Sequence, residues 1–513
     1  MNMNTFSRRT FLGATILAGV APRASFAHSN SDTLVFVSDY VLKAAPAPGS
    51  YDIQIEPLYG NAEFLMRPTR EGPQPWLAEA IEQLEPTKWR ITLKPGITFQ
   101  NGRPLDAKAL KGCLDYYLTS KENQGDPGAA LMGNPTSIDV SGSLSVDLTL
   151  PKPFPRLPFA AAHYAYLIFD PEAVAAVNGD WSKLVDKGIF TGPFTWETIE
   201  PGKITYKRYD NYWGGKPHLA SVTIKQVPDE QAGLQAISAG EADVLAYPAL
   251  SLAAAARGMP NTNYVVIDGV GFIGLYPEPH IAPFDDVKVR KALSLAIDND
   301  AIAKGVGLGL GTAMKGWFPA ESPLEVDWVV HDPAKAEALL EEAGWKKDAD
   351  GIRAKDGKQL EARFYCYTAI GEGVATASAD MAKKVGFLAT VRRFEHYSDI
   401  PAVQNVDGGI YTMYTESFGL NGDPQGTMFS VLGGGYGVKA FDDIKAVLDP
   451  VMQSTDQSEI DAAMKKAQEI NGEHAYWLPI MDDKARFILS DRFKHVALNP
   501  FYIFADAKMA PEA

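Results

Sequence analysis

Histidine is the side chain in this sequence with the broadest chemical use, and His163 is the best placed of the eight histidines. It lies in an otherwise apolar stretch from Phe159 to Phe169, where an imidazole could contact a ligand or a metal, or stay buried for structural reasons. No two histidines are four residues apart, and the HExxH, CxxC and GxSxG motifs are absent. The sequence therefore predicts no catalytic residue, no metal centre and no cofactor, and favours a protein that is not an enzyme.

A second group of chemically useful side chains lies in the last quarter of the chain. Tyr414, Glu416 and Phe418 alternate just ahead of Asp423, and a glycine-rich run containing Tyr436 follows. Aromatic rings offer a ligand a flat apolar face, and a carboxylate accepts hydrogen bonds from an ammonium group. These residues suit the wall of a binding cleft, although an exposed tyrosine on a surface loop and a solvated glutamate explain them equally well.

Helices with clear start signals alternate with short strands, which predicts an α/β protein. Asp106 stands at one predicted helix start and the pair Asp285 and Asp286 at another, and the apolar residues after each recur at spacings of three and four. A third helix is predicted after Asp332, where Pro333 follows the capping aspartate and Gly344 ends the pattern. Each of these helices is expected to pack one face against a core.

Strand candidates show the period-two alternation of a half-buried sheet. Residues 89–93 place tryptophan, isoleucine and leucine on one face and polar residues on the other. Similar runs lie at 221–227, 263–267 and 359–365. Two apolar stretches, near 264–276 and near 476–489, are candidates for strands that cross between two lobes. A double crossing predicts a hinge and a discontinuous first lobe, because the C-terminus would return to it.

The first residues read as an export signal. Arg8 and Arg9 form a twin arginine, an apolar run follows from 11 to 21, and small residues lead to Ala27. The alternative is a membrane anchor, but this run would rise only about 16 Å as a helix, roughly half of a hydrocarbon core. We therefore expect cleavage after Ala27 and a periplasmic mature protein.

Composition bounds the class of protein. A chain of 513 residues with 46% hydrophobic and 22% charged residues has room for more than one lobe and matches ordinary globular proteins. The net charge of −15 becomes −18 once residues 1–27, with three arginines and no acidic residue, are removed. An acidic surface repels phosphates, so no nucleic-acid partner is expected, although acidity also simply keeps a secreted protein soluble.

The two cysteines, Cys113 and Cys366, fall in different halves of the chain. The periplasm would permit a disulfide between them. Such a bond would tie together lobes that we expect to move, so two buried thiols are the preferred interpretation.

Several segments form a recognisable series along the chain. The early ones are PWLAE at 75–79, WRITLKPGITF at 89–99 and NGRPLDA at 101–107. The later ones are GPF at 192–194, NYWG at 211–214, GEADV at 240–244, VRKAL at 289–293 and AGW at 343–345. In content and order they resemble the extracellular solute-binding proteins of the oligopeptide, dipeptide and nickel ABC importers, known as family 5. The resemblance spans nearly the whole mature chain.

This resemblance implies an α/β, two-lobed periplasmic-binding-protein fold with two hinge crossovers and a split first lobe. Lobe I would comprise residues 28–265 and 487–513, with an extra subdomain at roughly 55–180, and lobe II residues 266–486. The protein would be a monomer that captures a small-molecule ligand by cleft closure. Its partners would be inner-membrane ABC permease subunits with cytoplasmic ATPases. Peptide-like, opine-like and metal-chelate solutes all stay open, as do a secreted enzyme and a ligand sensor on the same fold.

The resemblance also bears on the ligand. Nickel binders of the family carry an arginine after the first subdomain and a histidine on a loop of the second lobe. By this resemblance, Tyr166 and Tyr436 stand at these two positions in the sequence. The resemblance therefore implies weak binding of bare nickel and a neutral or zwitterionic organic solute.

The export signal gives a first prediction. Replacing Arg8 and Arg9 with lysines should leave the precursor in the cytoplasm, because the twin arginine addresses the chain for export. Cell fractionation and N-terminal sequencing check this, and the wild-type mature protein should begin at His28. A normal periplasmic yield of the double variant would contradict the assignment.

Overall fold

One ten-stranded sheet runs through the molecule, and its two longest strands lie side by side in the middle. The computed structural model describes residues 32–38, 41–42, 44–47, 55–69, 71–119, 132–163, 166–394, 407–416, 422–432, 441–493, 505 and 507–511. The predicted export signal and two predicted site residues, Phe418 and Tyr436, lie outside these ranges.

Strands and helices alternate along the chain as the sequence predicts. The strands are β1 (Thr33–Ser38), β2 (Met66–Arg67), β3 (Gln74–Pro75), β4 (Ala78–Glu85), β5 (Lys88–Leu93), β6 (Ser137–Val140), β7 (Ser145–Thr149), β8 (Phe194–Glu200), β9 (Lys203–Arg208), β10 (Ser221–Gln226), β11 (Val244–Ala246), β12 (Asn263–Pro277), β13 (Lys346–Lys347), β14 (Arg353–Lys355), β15 (Lys358–Gln359), β16 (Glu361–Cys366), β17 (Leu388–Arg393), β18 (Ile410–Glu416) and β19 (Leu478–Leu489). The helices are α1 (Ile55–Leu58), α2 (Ala107–Thr119), α3 (Leu157–Ala160), α4 (Pro171–Ala176), α5 (Glu230–Ser238), α6 (Leu250–Ala256), α7 (Val287–Ala296), α8 (Asn299–Gly305), α9 (Pro333–Glu342), α10 (Ala369–Lys384), α11 (Pro424–Leu432), α12 (Asp442–Leu448) and α13 (Gln457–His474).

The central pair of strands joins two halves of the sheet. The strand order is β17-β16-β18-β12-β19-β11-β1-β10-β9-β8. Strands β12 and β19 pair antiparallel from Asn263 opposite Leu489 to Leu275 opposite Leu478. The two apolar stretches that the sequence marked as crossing segments are confirmed as these strands.

Each end of the central pair packs into a different hydrophobic core. At one end, Phe487 and Leu489 are buried in a core built with β1 and β10. At the other end, Ile273 and Leu275 are buried in a second core built with α7, α10 and β16. Met509 packs back into the first core, so the C-terminal segment returns to the lobe in which the described chain begins. The α/β, two-lobed architecture with a split first lobe and two crossings is therefore confirmed.

The first lobe carries a small additional sheet with its own helix. Strands β4, β5, β7 and β6 form a four-stranded antiparallel sheet, and α2 contacts β6 and β7. The alternation predicted at 89–93 is confirmed, because Trp89, Ile91 and Leu93 are buried. Helix α2 begins after Asp106, whose Oδ1 accepts hydrogen bonds from two backbone N–H groups at 2.9 Å.

The other two predicted helix starts are also confirmed. Asp286 caps α7 through the backbone N–H of Lys288 at 2.8 Å, and Asp332 caps α9 through that of Lys335 at 2.9 Å. The run predicted at 359–365 is divided, because residue 359 ends the short strand β15 and β16 begins at residue 361. Among the described residues, no helix is both long and apolar enough to cross a membrane.

The two cysteines are free and buried, one in each lobe, as the sequence predicted. Cys113 lies on the buried face of α2, and Cys366 ends β16 in the second core. Burial raises the pKa of Cys113 to about 12 and that of Cys366 to about 11, so both stay protonated thiols at neutral pH.

Two carboxyl groups are fully buried in the first lobe. Glu56 accepts a hydrogen bond from Asn61 Nδ2 at 2.6 Å, and Glu63 accepts hydrogen bonds from Tyr212 Oη at 2.6 Å and Trp213 Nε1 at 2.9 Å. Burial outweighs these donors, and it raises the pKa of Glu56 to about 8 and that of Glu63 to about 7. The tyrosine and tryptophan of the NYWG motif thus have a structural role.

These raised pKa values predict a stability that falls with pH. A carboxyl group with a higher pKa folded than unfolded binds its proton more tightly in the folded state. Its stabilising contribution is complete below pH 4.5 and is lost as pH rises through about 8 for Glu56 and about 7 for Glu63. Within that window each group lowers the free energy of unfolding by about 1.4 kcal/mol per pH unit.

Thermal unfolding measured as a function of pH checks this prediction. Glu56→Gln keeps a similar shape without a titrating group, so its melting temperature should fall less steeply between pH 5 and 8 than that of the wild type. Glu79→Gln, at an exposed position of the same lobe, should follow the wild type. Equal slopes for Glu56→Gln and the wild type would contradict the assignment.

Candidate ligand-binding cleft

Strand β18 brings two of the predicted site residues to the crossing between the lobes. It pairs antiparallel with β12, so that Tyr414 lies opposite Ile273 and Glu416 opposite Gly271. The β12–β19 register shifts between Ile267 and Gly271, immediately beside this pair. Tyr414 is half-buried and packs against the second core. The end of β18 therefore lies at the position where the chain passes from one lobe to the other.

Asp423, which follows β18 in the chain, caps helix α11. Its Oδ1 accepts a hydrogen bond from the backbone N–H of Gly426 at 2.9 Å, and its carbonyl oxygen accepts one from that of Thr427 at 3.1 Å. Pro424 occupies the first turn of the helix, where a missing N–H costs nothing. The Asp423 side chain is only 3% exposed, so a buried carboxylate marks the start of this helix.

The partner of this carboxylate comes from the first lobe. Arg156 directly precedes α3, and its Nη2 forms an ion pair with Oδ2 of Asp423. The arginine side chain is 14% exposed, and burial lowers its pKa to about 10, so it is charged at neutral pH. Nη1 is buried and has no hydrogen-bond partner among the described residues. One N–H pair of the guanidinium therefore binds the second lobe, while the other is unused.

The two lobes approach each other closely around this ion pair. A Cβ atom added at Gly426 would overlap the guanidinium of Arg156, and one added at Gly422 would overlap the carbonyl oxygen of Thr69. Gly422 also has a φ of 75°, in the left-handed region that favours glycine. Backbone from residues 422–426 of the second lobe thus touches two segments of the first.

His163 and Tyr166 lie a few residues beyond Arg156, in the first lobe. His163 is half-buried, and loss of solvent lowers its pKa to about 4, which keeps the imidazole neutral. Tyr166 is fully buried: its ring packs against Tyr117 at 5.2 Å, and its hydroxyl accepts a hydrogen bond from the backbone N–H of Met132 at 3.1 Å. Core packing is the observed role of Tyr166, and its contact with a solute stays a prediction.

The structure therefore groups some predicted site residues and adds one that sequence reasoning missed. Tyr414 and Glu416 share one strand, and Asp423 follows them to meet the first lobe. The missed residue is Arg156. Its signal was a single cation in the apolar run 153–162, close to His163. A buried cation requires a partner, and that requirement could have marked it.

No group of three or more histidine, cysteine or acidic residues within the described ranges could hold a metal ion.

Solved structures share this fold over nearly the whole chain. NikA from Brucella suis, in complex with Fe(III)-EDTA, matches with a TM-score of 0.80 and 23% identity, covering 94% of this chain and 100% of that one. The oligopeptide-binding protein AppA from Bacillus subtilis, in complex with a nonapeptide, matches with a TM-score of 0.74 and 19% identity, covering 93% and 97%. At these identities the likeness shows the fold.

Curated relatives match parts of the sequence. The glutathione-binding protein GsiB of Salmonella paratyphi A is 31% identical over 266 residues, which is 50% of each chain. The dipeptide-binding protein of Escherichia coli K12 is 29% identical over 336 residues, covering 63% of this chain and 62% of the relative. The match thus spans about half the length of the glutathione-binding relative.

The family model gives the broadest match. The model for bacterial extracellular solute-binding proteins, family 5 (middle), matches residues 72–439, which include the small sheet, β12, β18 and the Arg156–Asp423 contact. All of the segments recognised in the sequence, from 75–79 to 343–345, fall within this range. The chain belongs to the bacterial extracellular solute-binding proteins of family 5.

Proposed function

We propose that this protein is the periplasmic solute-binding receptor of an ABC importer and captures a small organic solute by closing two lobes over it. The observation that carries the proposal is the paired crossing of β12 and β19 from one hydrophobic core to another. Two strands that join otherwise separate cores allow one lobe to rotate against the other. A solute that contacts both lobes favours the closed arrangement through its differential affinity.

In this proposal, lobe I comprises residues 28–265 and 487–513 and includes an extra subdomain at roughly 55–180. Lobe II comprises residues 266–486. Bending would occur at the irregularity in β12, where residues 268–270 lie between two paired positions. Bulges bend strands and loosen their pairing. Lys484 of β19 donates hydrogen bonds to Asp268 of β12 and to Asp482 of its own strand, both at 2.8 Å, and the first of these contacts would hold the two strands together while they bend.

A peptide-like solute is the preferred class. The named glutathione- and dipeptide-binding relatives support it. Glu416, whose backbone pairs with Gly271 at the end of β18, would supply a partner for an ammonium group. Tyr436 would add a ring that stacks on the solute, and Tyr414, Phe418 and His163 would complete the wall. An opine-like solute fits the same groups.

A metal chelate is the second candidate. The observation that favours it is the likeness to the nickel-binding periplasmic protein of Escherichia coli K12, which is 26% identical over 70% of each chain. A chelate would present carboxylate oxygens to the cleft rather than an ammonium group. A secreted enzyme or a ligand sensor would require an observed turnover or a signalling partner.

We include in the same proposal the export of the protein and the delivery of its solute to the importer. The twin-arginine segment would export the chain, cleavage after Ala27 would release a monomer, and the closed form would dock on inner-membrane permease subunits driven by cytoplasmic ATPases. The family consists of binding proteins, which supports binding without catalysis.

The solute can be identified directly from the purified protein. Denaturing the freshly purified protein should release one small organic molecule, to be identified by mass spectrometry. Adding that molecule back to stripped protein should raise the melting temperature progressively, since a ligand that binds only the folded state stabilises it by mass action. The proposal would be contradicted if no molecule were released, or if the melting temperature stayed constant when the released molecule was added back. Release of a metal chelate would favour the second candidate.

A tyrosine variant tests the proposed wall. If the Tyr436 ring stacks on the solute, Tyr436→Ala should weaken binding by about 1 to 3 kcal/mol, and Tyr436→Phe should keep most of the affinity. Calorimetry with the released molecule measures both. Unchanged affinity in Tyr436→Ala, or tight binding of free nickel by the wild type, would place the site elsewhere.

A further inference from the structure

Arg156 is a buried cation that reaches from the first lobe to the second. Its Nη2 pairs with the carboxylate of Asp423, and the residues on either side of it in the chain are apolar or proline. A charged pair hidden from water is stable only when both charges are present, because either one alone would be buried without compensation. Because Arg156 and Asp423 belong to different lobes, the pair can form only when the lobes are together. When the lobes separate, water solvates each charge on its own.

The residues of the second lobe that contact the guanidinium are fixed in position by the start of helix α11. Asp423 is fixed as the cap of α11 by the backbone N–H of Gly426, so its carboxylate cannot turn away from the start of the helix without uncapping it. Gly426 faces the guanidinium so closely that a Cβ atom would occupy the same space. Glycine within a helix lowers its stability relative to alanine. The close approach of the Arg156 guanidinium, rather than helix formation, therefore explains why a glycine stands at position 426.

One terminal nitrogen of the guanidinium, Nη1, takes no part in this contact. Nη1 is buried and has no hydrogen-bond partner among the described residues. A buried donor without a partner is costly, and an acceptor oxygen supplied from the cleft would remove that cost. Arginine matches carboxylate and carbonyl oxygens well because its donors are planar and fixed in direction.

We propose that Arg156 both closes the cleft and recognises the solute: Nη2 docks on Asp423 against Gly426, and Nη1 donates to a carboxylate or carbonyl oxygen of the bound molecule. This inference rests on the proposed capture by closure. It assigns the solute a second polar feature, an acceptor oxygen near the start of α11. Asp423 acts as a positioning residue, since it touches the guanidinium rather than the solute.

Closure is measured through the distance between the lobes. Spin labels at Glu85→Cys in the first lobe and Asp350→Cys in the second lie at exposed positions, while the two native thiols are buried. Pulsed electron resonance should give a short-distance component in protein purified with its solute and a smaller one after stripping. Arg156→Ala and Gly426→Ala should lose most of the short component in both preparations.

The choice of variants separates closure from folding. Gly426→Ala replaces a helical glycine with a better helix former, so its melting temperature without solute should match or exceed that of the wild type. Gly305→Ala is the matched control, because Gly305 also lies in a helix and a Cβ there meets nothing within 4 Å. It should keep the wild-type distances. Asp423→Asn preserves a capping oxygen without the charge and should open the lobes as Arg156→Ala does.

Solute recognition has its own measurement. Arg156→Ala and Gly426→Ala should retain about tenfold less of the co-purifying molecule per mole of protein than the wild type and Gly305→Ala, as quantified by mass spectrometry. Arg156→Ala that opens but still retains the solute would overturn the role of Nη1. Wild-type distances in Gly426→Ala would overturn the docking. A wild type with one distance in both preparations would overturn closure itself and, with it, this inference.

Discussion

The antiparallel pairing of β12 and β19 is the constraint on which the rest of the structure depends. It places two strands in the middle of a ten-stranded sheet, with one end of the pair in each hydrophobic core. The chain must pass between the cores twice, so the first lobe is discontinuous and Met509 returns to it. Because backbone hydrogen bonds hold the pair, its irregularity at 268–270 is the part of the crossing with the fewest of them.

Burial of charge separates structural groups from groups that respond to lobe movement. Glu56 and Glu63 are enclosed within the first lobe, where neighbouring donors and a bound proton compensate them. Arg156 and Asp423 are also hidden from water, but they belong to different lobes and compensate each other. On the proposed opening of the cleft, Glu56 and Glu63 would stay enclosed, whereas Arg156 and Asp423 would be exposed. In the proposed closed form, such an ion pair would contribute to closure without stabilising either lobe alone.

Local signals predicted the elements, and tertiary contacts decided the site. The helix starts at Asp106, Asp286 and Asp332 could be predicted because a cap and an apolar period are both short-range features. The crossings could be predicted from two long apolar runs. The pairing of Arg156 with Asp423 could not, because the two residues are 267 positions apart and only the folded chain brings them together. Tyr166 was interpreted from its place in the family pattern; the structure packs its ring within the first core, and its contact with a solute stays a prediction.

Capture by closure predicts that the shape of the protein changes with its load. Small-angle X-ray scattering on the wild type, first as purified and then after the bound molecule has been removed by reversible unfolding and dialysis, measures this most directly. The radius of gyration should increase on removal and return to its first value when the molecule is added back, because a solute that contacts both lobes favours their closed arrangement. Identical scattering curves for the loaded and stripped protein would contradict the account.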